Sequence, residues 1–219
     1  MNMKKIAIAC ALGFSANAAF GAVSATASIT CGAGTNQFGY GFEYSSTPTI
    51  NVTLNTGADA GKPGLFWLGV LTPDQQTALV LPLNGRWEKY QGGLYPPQSR
   101  YDNGLPSTIS LQIPVPSYDP ENGQVFNSSP TTTAQYIGYS VYVGHGALDS
   151  KSLKLVADRR AYLDSIREER IAQGRWSHHY DSDDQYKWAL AQKDMTDSNK
   201  WGAVLSIPFI NCQPDDQGG

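Results

Sequence analysis

Length, composition and charge limit the kind of protein that this chain can be. The sequence has 219 residues, with 16 Lys and Arg against 19 Asp and Glu, which gives a formal net charge of −3. A slightly acidic chain has no excess of basic residues for a nucleic acid or an anionic membrane surface, so we exclude both as partners. The 22 Gly, 13 Pro and 12 Tyr residues indicate many turns and extended segments, and therefore a mainly β protein.

The N-terminus has the pattern of a secretory signal peptide. Lys4 and Lys5 precede an apolar segment at 6–14, and small residues follow it. The apolar segment is well short of the roughly 20 residues that span a bilayer. We therefore predict residues 1–21 as the signal peptide, cleavage before Ala22, no membrane span, and a protein secreted to the periplasm or the extracellular space.

Apolar and polar residues alternate repeatedly in residues 22–148, which is typical of strands with one buried face. The segments 65–71 and 77–83 are more continuously apolar, as central strands are. Turn residues separate these segments at spacings that predict an immunoglobulin-like antiparallel β-sandwich. The alternating apolar residues are Ile50, Val52 and Leu54 in one predicted strand, Ile109, Leu111 and Ile113 in a second, and Tyr139, Val141 and Val143 in a third.

The richest aromatic segment of the chain is 86–101, where large rings stand beside glycines and prolines. Such rings can stack on sugar faces or anchor a protein partner, because they offer a large rigid area at low entropic cost. In the alternative interpretation, the tryptophan enters the core and the tyrosines cover a loop between strands. The predicted binding residues are Trp87, Tyr90, Tyr95 and Tyr101.

Two short motifs carry a resemblance to a known kind of exported protein. They are Trp87-x-x-Tyr90-x-Gly92-Gly93-Leu94-x-Pro96 and, 45 residues further on, Val141-Tyr142-Val143-Gly144-His145-Gly146. Together they resemble a pattern in uncharacterised exported bacterial proteins with small β-sandwich modules. The resemblance implies a sandwich fold and a cell-surface or periplasmic location, and it brings no catalytic residue.

The density of charge rises sharply at residue 149. Residues 22–148 contain 11 charged side chains, whereas residues 149–200 contain 20, ten of each sign, and show helical spacing of apolar residues. We therefore predict a two-helix insertion at 149–200, before the last strand. The predicted signals are Asp149 or Ser150 as the cap of the first helix, Leu155, Tyr162, Leu163 and Ile166 on one of its faces, Gly174 at its end, Ser182 and Gln185 as a capping box for the second helix, and Trp188, Ala191 and Met195 on one face of the second.

Removal of the signal peptide leaves two cysteines, Cys31 and Cys212. In an oxidising compartment two such thiols are expected to form a disulfide. Bridged Cα atoms lie within about 7 Å of each other. We therefore predict that the first strand, near 24–31, lies beside the last strand, which the apolar alternation places within 203–212.

Polar residues with catalytic or ligand chemistry are few. His145 stands where catalytic histidines occur, at the end of a predicted strand, although its flanking glycines indicate a sharp exit from the sheet. His178, His179 and Asp181 are weak metal candidates, because imidazole and carboxylate bind metals but their spacing fits no familiar site and a solvated linker explains them. A glycosidase needs a pair of carboxylic acids, and the isolated acids that could supply one are Glu43, Asp59, Glu88 and Asp102.

These observations predict a single domain over residues 22–213 and a flexible tail at 214–219. The leading functional hypothesis is a non-catalytic binding or structural module of a bacterial envelope or extracellular assembly, of the adhesion or pilus-associated type. Its partner would be a protein or a glycan at the cell surface, and we predict no cofactor and no metal. The alternatives are a polysaccharide-acting hydrolase and an exported metal-binding protein.

Overall fold

The fold is known from a computed structural model that describes residues 24–32, 47–119, 122–126 and 130–212. The predicted signal peptide, the predicted tail and Glu43 lie outside these ranges. Neither of the two described α-helices combines the length and the apolar character needed to cross a bilayer. The strands are β1 (Ala25–Gly32), β2 (Thr47–Asn55), β3 (Gly64–Leu71), β4 (Ala78–Val80), β5 (Glu88–Lys89), β6 (Ser99–Tyr101), β7 (Thr108–Pro114), β8 (Ser117–Asp119), β9 (Gln124–Phe126), β10 (Ser140–Ala147) and β11 (Trp201–Ser206), and the α-helices are α1 (Ser150–Ala172) and α2 (Asp184–Asp197).

The described strands form two main antiparallel sheets. The first sheet has the order β1-β2-β7, and the second has the order β11-β10-β3-β4-β5, with β6 also paired to β3. A separate hairpin joins β8 to β9. The prediction of a mainly β protein with antiparallel sheets and two helices before the last strand is confirmed.

Side chains from both sheets share one hydrophobic core. Ile50, Val52 and Leu54 of β2 are at most 1 % exposed, as their alternation with polar residues predicted. They belong to the same buried cluster as Phe66 and Leu68 of β3 in the second sheet. Period-two alternation therefore identified the core face of the first sheet correctly.

Strand β3 is buried on both of its faces, which explains its continuous apolar sequence. Phe66 and Leu68 enter the core between the sheets, whereas Leu65 and Trp67 pack in a second cluster with Ala191 and the neighbouring turn of α2. Successive side chains of a strand point to opposite faces. A strand between a second sheet and a helix must therefore be apolar at every position.

The helical insertion forms a hairpin in which α1 contacts α2 and α2 contacts the second sheet. Asp149 caps α1, because its carboxylate accepts a hydrogen bond of 2.7 Å from the Ser152 backbone N–H. Gly174 follows the end of α1 with φ +64°, as a C-terminal glycine does. The predicted apolar face of α2 is confirmed, since Ala191 and Met195 are buried in the second cluster.

Two details of the predicted helices are wrong. Leu155 and Tyr162 do not share the buried face of α1, because they are 41 % and 60 % exposed while Val156 and Leu163 are buried. Ser182 also does not form a capping box. Helix α2 begins at Asp184, and the Ser182 hydroxyl accepts a hydrogen bond from the backbone N–H of that residue instead.

Gly144 and Gly146 allow α2 to lie directly on β10. A Cβ atom at Gly146 would stand 1.9 Å from the Ala191 carbonyl oxygen, and one at Gly144 would stand 2.7 Å from the Met195 sulfur. The expected sharp exit from the sheet is wrong, since β10 continues through both glycines to Ala147. Gly146 is required because the backbone of α2 approaches the strand more closely than any side chain permits, whereas Gly144 makes room for the Met195 and Trp201 side chains.

The predicted disulfide is present, with the Cα atoms of Cys31 and Cys212 5.4 Å apart. The strands that it was expected to join side by side belong to different sheets, since β1 pairs with β2 and β11 pairs with β10. Strand β11 also begins earlier and ends earlier than predicted. The disulfide therefore fastens an edge of the first sheet to the segment that follows the last strand of the second.

Candidate functional site

An aromatic groove lies on the outer face of the second sheet, in the part that α2 leaves uncovered. Its volume is about 270 Å³. Two residues with small side chains, Gly69 of β3 and Ala78 of β4, line it beside larger apolar groups. The aromatic groove is defined by Trp67, Gly69, Leu71, Gln75, Gln76, Ala78, Val80, Tyr90, Tyr95, Pro96, Tyr142, Gly144, Met195 and Trp201, with backbone and side-chain atoms of Leu68, Val70, Leu79 and Val143 beneath them.

Two aromatic pairs, one in a loop and one on strands, stand on this face. The rings of Tyr90 and Tyr95, which follow β5, are stacked with their centroids 4.6 Å apart. The rings of Tyr142 on β10 and Trp201 on β11 lie 5.8 Å apart. In the order of the sheet, Gly69 of β3 lies between the two pairs. All four rings are half-buried, so each is held by the protein and still accessible.

The loop that carries Tyr95 is fixed to the rest of the protein by backbone hydrogen bonds. The Tyr95 carbonyl oxygen accepts two indole N–H bonds of 2.7 Å, one from Trp67 on β3 and one from Trp188 on α2. The Tyr95 backbone N–H donates to the Gln192 side chain on α2 at 2.7 Å. The Tyr90 backbone N–H donates to the Ala78 carbonyl of β4. The tyrosine wall, which consists of Tyr90 and Tyr95, is therefore held in place by the sheet and the helix together.

A tight turn presents two amide side chains at one end of the aromatic groove. Gln75 has φ +60°, and its backbone N–H donates to the Thr72 carbonyl oxygen. The Asp74 carboxylate accepts hydrogen bonds from the Thr72 hydroxyl and from the Gln76 backbone N–H. These bonds hold the pKa of Asp74 below its usual range. The turn between β3 and β4 therefore has a defined shape.

The four predicted binding residues lie in different environments. Tyr90 and Tyr95 line the aromatic groove. Trp87 is 7 % exposed in the core, and its indole N–H donates to the Pro114 carbonyl oxygen at 3.0 Å. Tyr101 is half-buried and packs against the same core. Trp87 therefore follows the alternative interpretation, in which the tryptophan is a core residue.

Sequence reasoning missed the other half of the aromatic groove. Trp67, Tyr142 and Trp201 are far apart in the chain and come together only through the pairing of β3, β10 and β11. One signal was available. Tyr142 alternates with the buried residues Val141 and Val143, so its ring must lie on the opposite, more exposed face of the strand. That signal indicates an exposed ring but does not indicate its neighbours.

Asp59 is buried at the centre of a partly buried ionic network. Its carboxylate contacts Lys62 at 2.8 Å, Lys200 at 2.6 Å and the Nε2 atom of His145 at 3.2 Å. Lys200 also contacts the Asp194 carboxylate of α2 at 2.7 Å. The network therefore joins the turn after β2, the strand β10 and the end of α2. His145 is 6 % exposed, and its Nδ1 atom has no hydrogen-bond partner among the described residues.

The charges of this network determine what it can do chemically. Burial would raise the pKa of Asp59, but hydrogen bonds and attraction from Lys200 and Lys62 outweigh it and lower the pKa to about 2. Burial lowers the pKa of His145, against the opposite effect of the Asp59 charge. An ionised carboxylate shared by two lysines holds no proton to donate, so Asp59 is not suited to act as a general acid at neutral pH.

We expect this network to make stability depend on pH in the acid range. The pKa of Asp59 falls on folding from 3.8 to about 2, so its contribution is fully present above pH 4 and is lost as the pH falls to 2. The difference in unfolding free energy between the wild type and Asp59→Asn should therefore shrink by about 2 kcal/mol between pH 4 and pH 2. Urea denaturation at several pH values measures it, and a constant difference would contradict the assignment.

The other acids considered for a hydrolase are held apart from the aromatic groove. Glu88 is exposed and accepts a hydrogen bond from the Asn84 amide. Asp102 shares the Arg100 guanidinium with Asp184, at 2.8 Å and 2.6 Å, beside a second cavity of about 180 Å³. The Arg100 hydrogen bond lowers the pKa of Asp184, so the Asp184 carboxylate favours the ionised form.

The metal candidates lie on the short turn between the two helices. His178 is 3.3 Å from the Asp181 carboxylate, whereas the His179 ring contacts the Ser177 hydroxyl at 2.6 Å. The two imidazoles are therefore engaged with different neighbours. Within the described ranges, no group of three or more His, Cys, Asp or Glu side chains is arranged to hold a metal ion.

Comparison of the chain with protein-family models, curated proteins and solved structures found no match. The geometry and chemistry of the aromatic groove are therefore the basis on which a function is assigned.

Proposed function

We propose that this protein is a secreted, non-catalytic binding or structural module of a bacterial envelope or extracellular assembly, of the adhesion or pilus-associated type. In this proposal the two sheets form an immunoglobulin-like sandwich, and the aromatic groove is the contact surface for a protein or glycan partner. The N-terminal signal pattern and the Cys31–Cys212 disulfide support export to an oxidising compartment.

The observation that carries the proposal is the pre-organised aromatic groove. Half-buried Tyr and Trp rings on a rigid scaffold are favourable contact residues, because little conformational freedom is lost when a partner binds. Three hydrogen bonds to the Tyr95 backbone supply this rigidity. A binding function is favoured over hydrolysis because no carboxylate lines the aromatic groove within the described ranges.

Binding of the labelled protein to an envelope fraction of the source bacterium tests the proposal. We expect Tyr142→Ala to weaken binding about tenfold, as the loss of a well-packed aromatic contact does. Ala78→Phe should also weaken it, because its ring fills the aromatic groove from within. Tyr162→Ala is the matched control, since Tyr162 is 60 % exposed on α1 and lies outside the groove.

Two results would contradict the proposal. Unchanged envelope binding by Tyr142→Ala and Ala78→Phe, with circular dichroism of the wild-type form, would exclude the aromatic groove as the contact surface. Release of soluble sugar from purified envelope polysaccharide by the wild-type protein would instead favour the hydrolase.

A further inference from the structure

We infer that the aromatic groove binds a neutral carbohydrate chain, with the apolar faces of its pyranose rings placed against the tyrosine and tryptophan rings. The inference rests on the proposed function, because it names the partner of the same surface. Three properties of the groove favour this ligand over a charged polymer or a peptide: its lack of charge, its aromatic walls and its amide groups.

The lining of the aromatic groove is uncharged among the described residues. A uronic acid or a phosphate group would lose its hydration there and gain no opposite charge in return, which is costly. Arg100, which lines the second cavity, is already bound by Asp102 and Asp184. The chemistry of the lining therefore selects a ligand without formal charge.

The walls of the aromatic groove suit a flat ring that is apolar on its face and polar at its edge. The face of an aromatic ring carries negative charge density and attracts the slightly positive C–H groups of a sugar face. Tyr90 stacked on Tyr95, and Tyr142 beside Trp201, place aromatic rings on two sides of Gly69. The small side chains of Gly69 and Ala78 leave space between these pairs for a ring to enter.

The end of the aromatic groove supplies hydrogen bonds that a sugar can use. Gln75 and Gln76 line it and carry amide groups that both donate and accept, which matches the hydroxyl groups of a pyranose. Their turn is held by Asp74, so the two amides are presented from a rigid backbone. A purely apolar side chain of a peptide would leave these amides without a ligand partner.

An extended peptide is less favourable because the floor of the aromatic groove has no free strand edge. Peptides that add to a sheet pair with the backbone of an edge strand. Strands β10, β3 and β4, which form the floor, are each paired on both sides in the second sheet. A peptide in this position could use side-chain contacts only, whereas a sugar needs no backbone partner.

Tryptophan fluorescence during titration with defined oligosaccharides tests the inference. The neutral probes are cellohexaose, maltohexaose, laminarihexaose and chitohexaose; the charged probe is hexagalacturonate; and the apolar peptide probe is Gly-Phe-Leu-Val-Gly. We expect saturable binding of at least one neutral hexasaccharide, at least tenfold tighter than hexagalacturonate or the peptide. Tyr142→Ala should weaken this binding about tenfold, which corresponds to the loss of an aromatic contact of about 1.4 kcal/mol.

Two tryptophan variants show where the probe binds. Trp201→Phe should reduce the fluorescence change, because Trp201 lines the aromatic groove together with Trp67. Trp176→Phe is the matched control and should retain the change, since Trp176 lies on the helical hairpin against Arg167 and Tyr180. A change that depends on Trp176 and not on Trp201 would overturn the inference.

The remaining outcomes separate the inference from the proposed function. If no neutral hexasaccharide binds while Tyr142→Ala still weakens envelope binding, the carbohydrate assignment is overturned and the contact surface stands. Equal or tighter binding of hexagalacturonate or of the peptide also overturns the assignment. If Tyr142→Ala affects neither sugar nor envelope binding, both proposals fail.

Discussion

Replacing Cys31 and Cys212 together by serine should lower the free energy of unfolding by about 5 kcal/mol. The disulfide closes a loop with a sequence separation of 181 residues, and the chain-entropy estimate for a loop of that size is about 5 kcal/mol. The double variant avoids an unpaired thiol. Urea denaturation of the variant and the wild type, under the same non-reducing conditions, measures the difference.

Besides its contribution to the free energy of unfolding, the disulfide should hold strand β1 in place locally. Among the described strands, β1 is hydrogen-bonded only to β2, so it is an edge of the first sheet. Cys212 follows a segment that is held by Thr133, whose hydroxyl donates to the Pro208 carbonyl oxygen. Without the covalent bond, we expect backbone amides of β1 to exchange with solvent faster than those of β2.

Reduction of the wild-type protein provides the control for this prediction. The wild type in dithiothreitol should match the double variant without it, and dithiothreitol should not change the variant. A loss below about 1 kcal/mol would mean that the cross-link restricts the unfolded chain far less than its loop length implies.

The sequence predicted the features that depend on neighbouring residues. Alternation identified the buried side of β2 because that strand packs on one face only, and Asp149 and Gly174 marked the ends of α1 because capping is a local interaction. The cysteine pair was predictable because only two of the three cysteines lie outside the predicted signal peptide. Each of these inferences needs no knowledge of the partner strand.

Features that depend on the pairing of distant segments could not be predicted in the same way. Trp67 and Trp87 are both buried tryptophans, yet one lines the aromatic groove and the other belongs to the core. In the sequence, the glycines around His145 indicate a sharp exit from the sheet. Their actual role is to allow the close approach of α2 to β10, a contact between residues about 45 positions apart that a local pattern does not reveal. The aromatic groove itself combines residues from four strands, two loops and a helix.

A substitution at the contact between α2 and β10 should also have a large effect on stability. Gly146→Ala should lower the free energy of unfolding by about 3 kcal/mol, because an added methyl group overpacks a tight contact. The new Cβ atom would stand 1.9 Å from the Ala191 carbonyl oxygen and 2.7 Å from its carbon. Both are backbone atoms of α2, so no rotation of a side chain can relieve the overlap, and the helix must move.

Gly69→Ala is the matched control for this substitution. It also lies in a central strand of the second sheet, and its Cβ atom would meet the Leu79 carbonyl oxygen at 3.1 Å and no other atom closer than 3.8 Å. Alanine in a strand interior is also more favourable than glycine. We therefore expect the unfolding free energy of Gly69→Ala to remain within about 1 kcal/mol of the wild type.

Displacement of α2 by Gly146→Ala should also weaken ligand binding, although Gly146 does not line the aromatic groove. Trp188 and Gln192 of α2 hold the Tyr95 backbone, so a shifted helix no longer fixes the tyrosine wall. Weaker envelope binding in a still-folded Gly146→Ala protein would show that the helical insertion organises the contact surface. Wild-type binding and wild-type stability in this variant would contradict the close contact between α2 and β10 from which both effects follow.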